Sequence, residues 1–527
     1  MKANSIASTI GRKPYSAHFR FNALASNDGI MLLWTLVTLM TVAVLSLAVI
    51  AASVNSLKFT KRTMYSAQAF DIAETGAGAG MLWLQQQTIP PAGLTTITPF
   101  NGAQTVTGGS YSGTYNVSIY PDAGNNTNYL KTYRIVSTGI VQGVTVKVEV
   151  VWRQGSFGGY AYFTDSETSG GSTIWWKAGE VCDGPAHSNN AGGSNFHINY
   201  TGSVAPIFTN LLTASGSSIV YSPSTPTTQA QFNNIYLNGG LGYEISTPVI
   251  SLPASTTAQQ VAAWGSTTGF PATTGVYLKA ASSGGLYIVG DAGITMSRGT
   301  TGQQIFTIKQ GSNTTTVTVD LHGTVSTSGP MGTGSPTSAT VIPNGVLYCT
   351  GNVTSLSGVV TDNLYANNKI TVPSSWTIAT DVNNGKGITV SNNITYNTQP
   401  NKALPATDVS NLAAGTLGLY ANNVTIPTTA PANLTIDAVC MAGGSNTATG
   451  SFSVTSYDTR TPVGTLSLLG GLIQKQRGAV GTFNSGTGLT QTGYNKSYHY
   501  DPRLAANPPP FYPTTGTYTK LSWRVTP

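Results

Sequence analysis

Charge is the scarcest commodity in this sequence. Only 8% of its 527 residues are Asp, Glu, Lys or Arg, against 60 glycines, and Thr, Ser and Asn fill much of the rest. Apolar residues still make up 40%, so the composition is not the low-hydrophobicity, high-net-charge type that stays disordered. The formal balance of +7 reflects a shortage of acids, 18 in all, rather than basic clusters. No Lys/Arg patch interleaved with aromatics occurs, and no nucleic-acid partner is expected. Cysteine is nearly absent. Cys182, Cys349 and Cys440 lie far apart with no metal-ligand spacing, and an odd count leaves at least one thiol free. The expected role of each is that of a small buried hydrophobe. Polysaccharide cleavage gathers carboxylates in pairs or around Ca²⁺, whereas acids such as Asp362 and Asp437 stand alone. No Gly-x-Ser-x-Gly accompanies an acid and a His in order, and there is no P-loop or dinucleotide fingerprint. The expectation is a non-enzyme without a cofactor.

What the sequence does have is one long apolar run. Lys2, Arg12, Lys13, Arg20 and Asp28 precede it, no charge occurs from Gly29 to Leu57, and Ile30 to Ala52 is mainly apolar. At 1.5 Å per residue this stretch is about 35 Å of helix, enough to cross a hydrocarbon core of roughly 30 Å. It is longer than the 7–15 apolar residues of an ordinary cleaved signal, although a cut near "VIAAS" is an alternative. Thr35, Thr38, Ser46 and Ser53 share one narrow face. Such a stripe lets membrane helices approach closely; simple tolerance of hydroxyls in a span explains it equally well. The helical pattern continues past Lys58, Lys61 and Arg62 to about Gln87, where Pro90 and Pro91 stop it. Gly76, Gly78 and Gly80 weaken its last turns, by roughly 1 kcal/mol each relative to Ala.

The basic leader, Gly29, the uncharged stretch and the continuing helix with "AQAFDIAETGAGAGM" resemble type IV pilins, and within them the PilX-type minor pilins. The resemblance covers roughly residues 25 to 90. It implies that a prepilin peptidase cuts after Gly29 and that Ile30 becomes the methylated mature N-terminus. It also implies inner-membrane residence before assembly, other pilins or pseudopilins as partners, and a bacterial surface filament as the destination. Trp34 stands at the fifth mature position, where major pilins carry Glu; its absence is typical of a subunit at the filament tip. Asp28 stands directly before Gly29, where such leaders more often have a basic or neutral residue.

After the helix, residues 109–152 read as a small antiparallel meander. Val144, Val146, Val148 and Val150 alternate with Thr145, Lys147 and Glu149 as in a half-buried strand, and Gly139 and Gly143 bracket a turn. From about Gly158 the texture becomes Gly/Ser/Thr/Asn tracts with short apolar beads, including "GLYIVGDAGITM", "GVLYCTGNVTSL" and "GLYANNVTIP". Short strands with Asn at the turns suggest a right-handed parallel β-helix with Asn ladders; a pair of β-sandwiches is the alternative. The expected fold class is α+β overall. Residues 1–29 form a prepilin-type leader and 30–88 the transmembrane and assembly helix. Residues 89–157 form the meander and 158–527 a β-helix-like head. Stretches 160–189 and 466–513 resemble a large C-terminal domain of unknown function found on some PilX-like proteins.

Within the head, Asp165, Glu167, Glu180, Asp183, His187 and His197 form the densest polar group, with Asp183 and His187 as weak candidates for a divalent ion. "DGPAHSN" reads more simply as a turn. Lys475 and Arg477 form the only basic cluster of the body, which reads as a solvated turn or a patch for an acidic partner. "HYDPRL" and "NPPPFYP" suit a cap on the last coil, or a surface for a carbohydrate ligand. The expected function is a structural filament subunit displaying its head. The alternative is a membrane-anchored surface adhesin or binding protein that never polymerises.

Overall fold

The computed structural model describes residues 27–87, 91, 95–108, 111–122, 130–200, 204–237, 242–280, 283–366, 369–372, 374–405, 408–461, 464–484 and 486–526. The leader up to Ser26, with its four basic residues, lies outside them. The chain forms a long N-terminal apolar helix and a large β-rich body, joined by a small antiparallel sheet.

The helix α1 spans Asn27–Gln85 without a break. Residues 29–64 are all exposed, their apolar side chains included. The helix is long and apolar enough to cross a membrane. Its second half is sheathed by four strands, β1 (Gln104–Gly108), β2 (Tyr111–Pro121), β3 (Thr132–Val141) and β4 (Val144–Ser156). Ala69, Ile72, Ala73, Ala77, Met81 and Leu84 are buried against them, with Val117, Ile119, Ile135, Val148 and Val150 on the sheet side. The helix comes very close. A Cβ on Gly139 would sit 2.1 Å from the Ala69 carbonyl oxygen, and one on Gly76 would strike Tyr115 and Ser137. The cost of Gly76 and Gly80 in the helix is thus offset by close contact with the sheet. Gly139, expected in a turn, instead lies inside β3 opposite Tyr115. The turn is Gln142–Gly143, with φ of 49° and 76°, the left-handed pair that matches hairpin twist.

The sheet has a fifth strand that its local sequence does not announce. The last strand, Thr514–Thr526, returns to pair antiparallel with β4, from Thr514 opposite Ser156 to Thr526 opposite Lys147. The body is therefore inserted between the fourth and fifth strands of the helix-bearing unit. Two adjacent strands, one leaving and one returning, carry it.

The body is built from parallel-paired strands. One ladder aligns Leu286, Leu347, Ile378, Leu419, Cys440, Leu472, Tyr162, Ala186 and Leu212 in a single buried column. A second aligns Ile394, Ile436, Leu468, Tyr498, Cys182 and Phe208. The order along the first ladder is not chain order. The chain enters mid-stack at β5 (Tyr162–Ser166), climbs to the two-residue strand Tyr243–Glu244, and crosses to the far end. It then returns strand by strand until Gly464–Gln476 docks on β5. The crossing segment runs along the flank. Asn189 contacts Ile250, Ser445 contacts Pro253, Tyr420 contacts Ser255 and Tyr287 contacts Gln260. The first ladder is thereby covered on both faces, which explains its near-continuous Val, Leu, Ile and Tyr runs.

Asn side chains stitch neighbouring strands at the corners. Asn352, Asn393, Asn423 and Asn433 accept from the backbone N–H groups of Gly387, Thr435, Ser451 and Thr465 at 2.9–3.1 Å. The stack's far end is closed by antiparallel strands, Gly275–Leu278 against Leu286–Val289 and Gln304–Gln310 against Ala292–Arg298, which shield its edge. The Pro/Tyr-rich tail, expected as the cap, lies along the flank instead. Pro510 packs over Gly345 and Tyr512 over Gly418, with Tyr512 fully buried.

Candidate functional site

The sequence-predicted assembly residues all lie on the bare half of α1. Gly29 is exposed with open space where a Cβ would point, and Ile30 is 58% and Trp34 64% exposed. The hydroxyls of Thr35, Thr38 and Ser46 donate to the carbonyl oxygens of Leu32, Thr35 and Val42 at 2.8–2.9 Å. Bonded within their own helix, they need no partner from outside; Ser53 is likewise exposed. The stripe is thus polar in composition but offers few free donors, which suits contact with lipid or another helix. Lys58, Lys61 and Arg62 follow as an exposed basic band, just where the apolar stretch ends.

Within the five-stranded sheet, Glu149 of β4 ties the last strand to β4 and β3. Arg134 of β3 donates to it at 3.0 Å and Arg524 of the last strand at 2.6 Å. Burial raises the Glu149 carboxyl, but the two guanidinium hydrogen bonds outweigh it and the net shift is downward. Phe70 of the helix meets Trp523 of the last strand edge to face at 6.0 Å. Between them runs an apolar groove of about 260 Å³, lined by Ala77, Gly78, Val148, Val150, Trp152 and Trp523, with Glu74 and Lys520 also on its walls.

The polar group of the head resolves into separate pairs. Asp165 pairs with Lys475 at 2.7 Å, Glu167 with Arg477 at 3.0 Å, and Glu180 with Lys496 at 3.0 Å. Asp183 meets Lys402 at 2.8 Å and His499 at 3.0 Å. Burial raises its carboxyl, and the hydrogen bonds from His499 and Lys402 bring it below the usual range. His187 lies elsewhere. Its ring stacks on Phe163 at 5.0 Å and its nitrogens meet Thr213 and Asn189 at 2.7 and 2.9 Å, while burial lowers its pKa. Asp183 and His187, offered as one ion site, are thus engaged with different partners. Among the described residues, no three His, Cys, Asp or Glu side chains gather as metal ligands. His197 packs against Trp175 at 4.8 Å.

The "QKQR" cluster is no solvated turn. Lys475 and Arg477 reach the acids of "YFTDSE" because Gly464–Gln476 and β5 are neighbouring strands. Arg477 is 3% exposed and lies 4.9 Å over the Trp176 ring. "HYDPRL" holds a second buried pair, in which the Arg503 fork grips Asp501 and donates to the Ala414 carbonyl at 2.8 Å. Asp362 is occupied by Asn397 and Thr398. Asp437 accepts from Gln399 and the Tyr396 N–H, and burial raises its carboxyl. The three cysteines are free and buried, their thiols pushed up to about 12 by burial.

No family model matches the chain. No curated protein matches it either. Among solved structures, the competence-associated pilin ComZ from Thermus thermophilus is similar at 12% identity and a TM-score of 0.29, over 88% of this chain and 97% of that one. A likeness that low carries no argument about fold or function. The reading rests on the molecule's own geometry.

Proposed function

We propose that this chain is a minor pilin- or pseudopilin-like structural subunit of a type IV pilus or type II secretion-type filament. The observation that carries the reading is the division of α1. Its second half is sheathed by a sheet, and residues 29–64 carry no acid, are mainly apolar up to Ala52, and are exposed throughout. A bare apolar half-helix needs a membrane or other helices around it. A helix that leaves the first to enter the second uses the same surface twice. In this reading the prepilin peptidase cuts after Gly29, the inner membrane holds the subunit until assembly, and other pilins then cover residues 30–64. The parallel ladders and Asn corners favour a right-handed parallel β-helix for the head over paired sandwiches. So large a head, with Trp34 in place of an acid, favours the tip over the shaft. No catalysis is proposed; the head serves adhesion or priming, with a surface or carbohydrate ligand as its target.

Gly29 supplies the test. Gly29→Trp puts a bulky side chain at the scissile bond, and should leave the chain full-length in the membrane fraction and absent from sheared surface material. Wild-type amounts of G29W protein in filaments would refute the reading and favour a permanently anchored adhesin.

A further inference from the structure

We infer that the head carries a site for an amide cross-link within the chain, in which the Lys475 amine replaces the side-chain nitrogen of Asn189 and Asp165 relays the protons. The inference is independent of the filament reading and needs no second copy of the chain. Three side chains stand in a row across neighbouring parallel strands. Gln474 and Gln476 lie opposite Thr164 and Ser166 of β5, which places Lys475 beside Asp165. Thr164 in turn lies opposite Ser188, so Asn189 follows on the other side of Asp165. The lysine amine donates to Asp165 Oδ2 at 2.7 Å, and Asn189 Nδ2 donates to Oδ1 at 2.8 Å. Nucleophile and leaving nitrogen thus sit on the two oxygens of one carboxylate. The outer two strands are about 9.6 Å apart, twice the spacing of paired strands, a gap that a lysine and an asparagine side chain together span. Among the described residues, the head's other lysine–carboxylate pairs differ. Lys402 with Asp183 and Lys496 with Glu180 have no carboxamide on the same acid.

The carboxamide is oriented for attack. The Ile250 N–H donates to Asn189 Oδ1 at 2.9 Å, and Nδ2 donates to the Ile250 carbonyl at 2.8 Å. With the oxygen so identified, His187 Nε2, 2.9 Å from it, is an N–H donor. Two N–H groups therefore point at the oxygen on which negative charge develops, the arrangement that stabilises a tetrahedral intermediate. Asn189 is 5% exposed, which limits competing attack by water. The Lys475 ammonium gives a proton to Asp165 Oδ2, and the freed amine bonds to Asn189 Cγ. Asp165 passes a proton through Oδ1 to Nδ2, and the Cγ–Nδ2 bond breaks. Ammonia takes up the proton shed by the new amide nitrogen and leaves as ammonium. The carboxylate is restored, and atoms and charge balance without a further reactant. The bond closes over β5, the strand by which the chain enters the body. The three cysteines are free and buried, so this amide gives the head a covalent tie that its thiols do not.

Mass spectrometry of the purified full chain tests this. The intact protein should weigh one ammonia less than its sequence, whichever N-terminus it carries. Trypsin should release a branched peptide joining residues 178–279 to 461–477, because an acylated Lys475 is no longer a cleavage site. Lys475→Arg keeps a cation beside Asp165 but has no amine to bond, and should show the full mass and linear peptides. Asp165→Asn should raise the linear peptide 461–475 at least tenfold over wild type. Folded wild-type chain of full mass, yielding only linear peptides, would overturn the cross-link. The same ammonia loss in Lys475→Arg would overturn it too, since another reaction would then be its source. Neither result bears on the filament reading, which stands or falls on the cut after Gly29.

Discussion

At the residue scale, the buried ion pairs of the body, Arg477 with Glu167 and Arg503 with Asp501, are structural fasteners. Arg477 and Glu167 are both almost fully buried, and removing one leaves the other uncompensated. Arg477→Ala is expected to destabilise the body by about 3–5 kcal/mol, whereas Arg477→Met with Glu167→Leu recovers most of that loss; thermal melts of the two variants check the order. The pair also marks where residue-level reading fails. "QKQR" looks like a surface turn because its acids lie some 310 positions away in sequence, and only strand pairing brings them together. The aggregation of Asp165, Glu167, Glu180 and Asp183 over a short span was visible in the sequence, but it reads as one site when each acid in fact serves a different cation. Gly139 misled for a related reason. Gly139 and Gly143 bracket a three-residue run and read together as turn material, whereas Gly139 lies inside β3 where the Ala69 carbonyl approaches. Gly139→Val should lift the helix off the sheet at about 1–3 kcal/mol, seen as faster proteolysis between helix and sheet.

At the scale of elements, the helix and β4 were legible because their periodicity is local. Continuous apolar character from Ile30 and the Pro90–Pro91 stop set the helix bounds nearly where they fall, and the alternation of Val144 to Val150 marked β4. The last strand was not legible. Thr514–Thr526 has few apolar residues, and its partners, β4 along its length and Glu149 for Arg524, lie far away in sequence. Because the folded carboxyl of Glu149 titrates below its unfolded value of about 4.3, its contribution is complete above that pH and is lost as the pH falls through the folded value. Hydrogen exchange in the last strand should therefore accelerate below about pH 4 ahead of the ladders. Glu149→Gln should reproduce the loosening at neutral pH, at a cost of about 1–2 kcal/mol. The Asn corners were also foreseeable, since Asn recurs where short strands end. Their exact partners depend on which strand lies next, which sequence spacing does not give.

At the scale of the whole molecule, the body is an insertion between strands four and five of a small sheet, so helix and head are joined by two strands rather than a single linker. A pull on the head is thus transmitted through β4 and the last strand to the helix face that carries Ala69 to Leu84. That architecture suits a subunit anchored by its helix and loaded at its head. The central claim is that the helix is cut once at the membrane face and then kept as filament core. Mass spectrometry of the chain's N-terminal peptide from sheared surface filaments tests it most directly. The account predicts a peptide beginning at N-methylated Ile30. A chain found only in membranes with Met1 intact would contradict it.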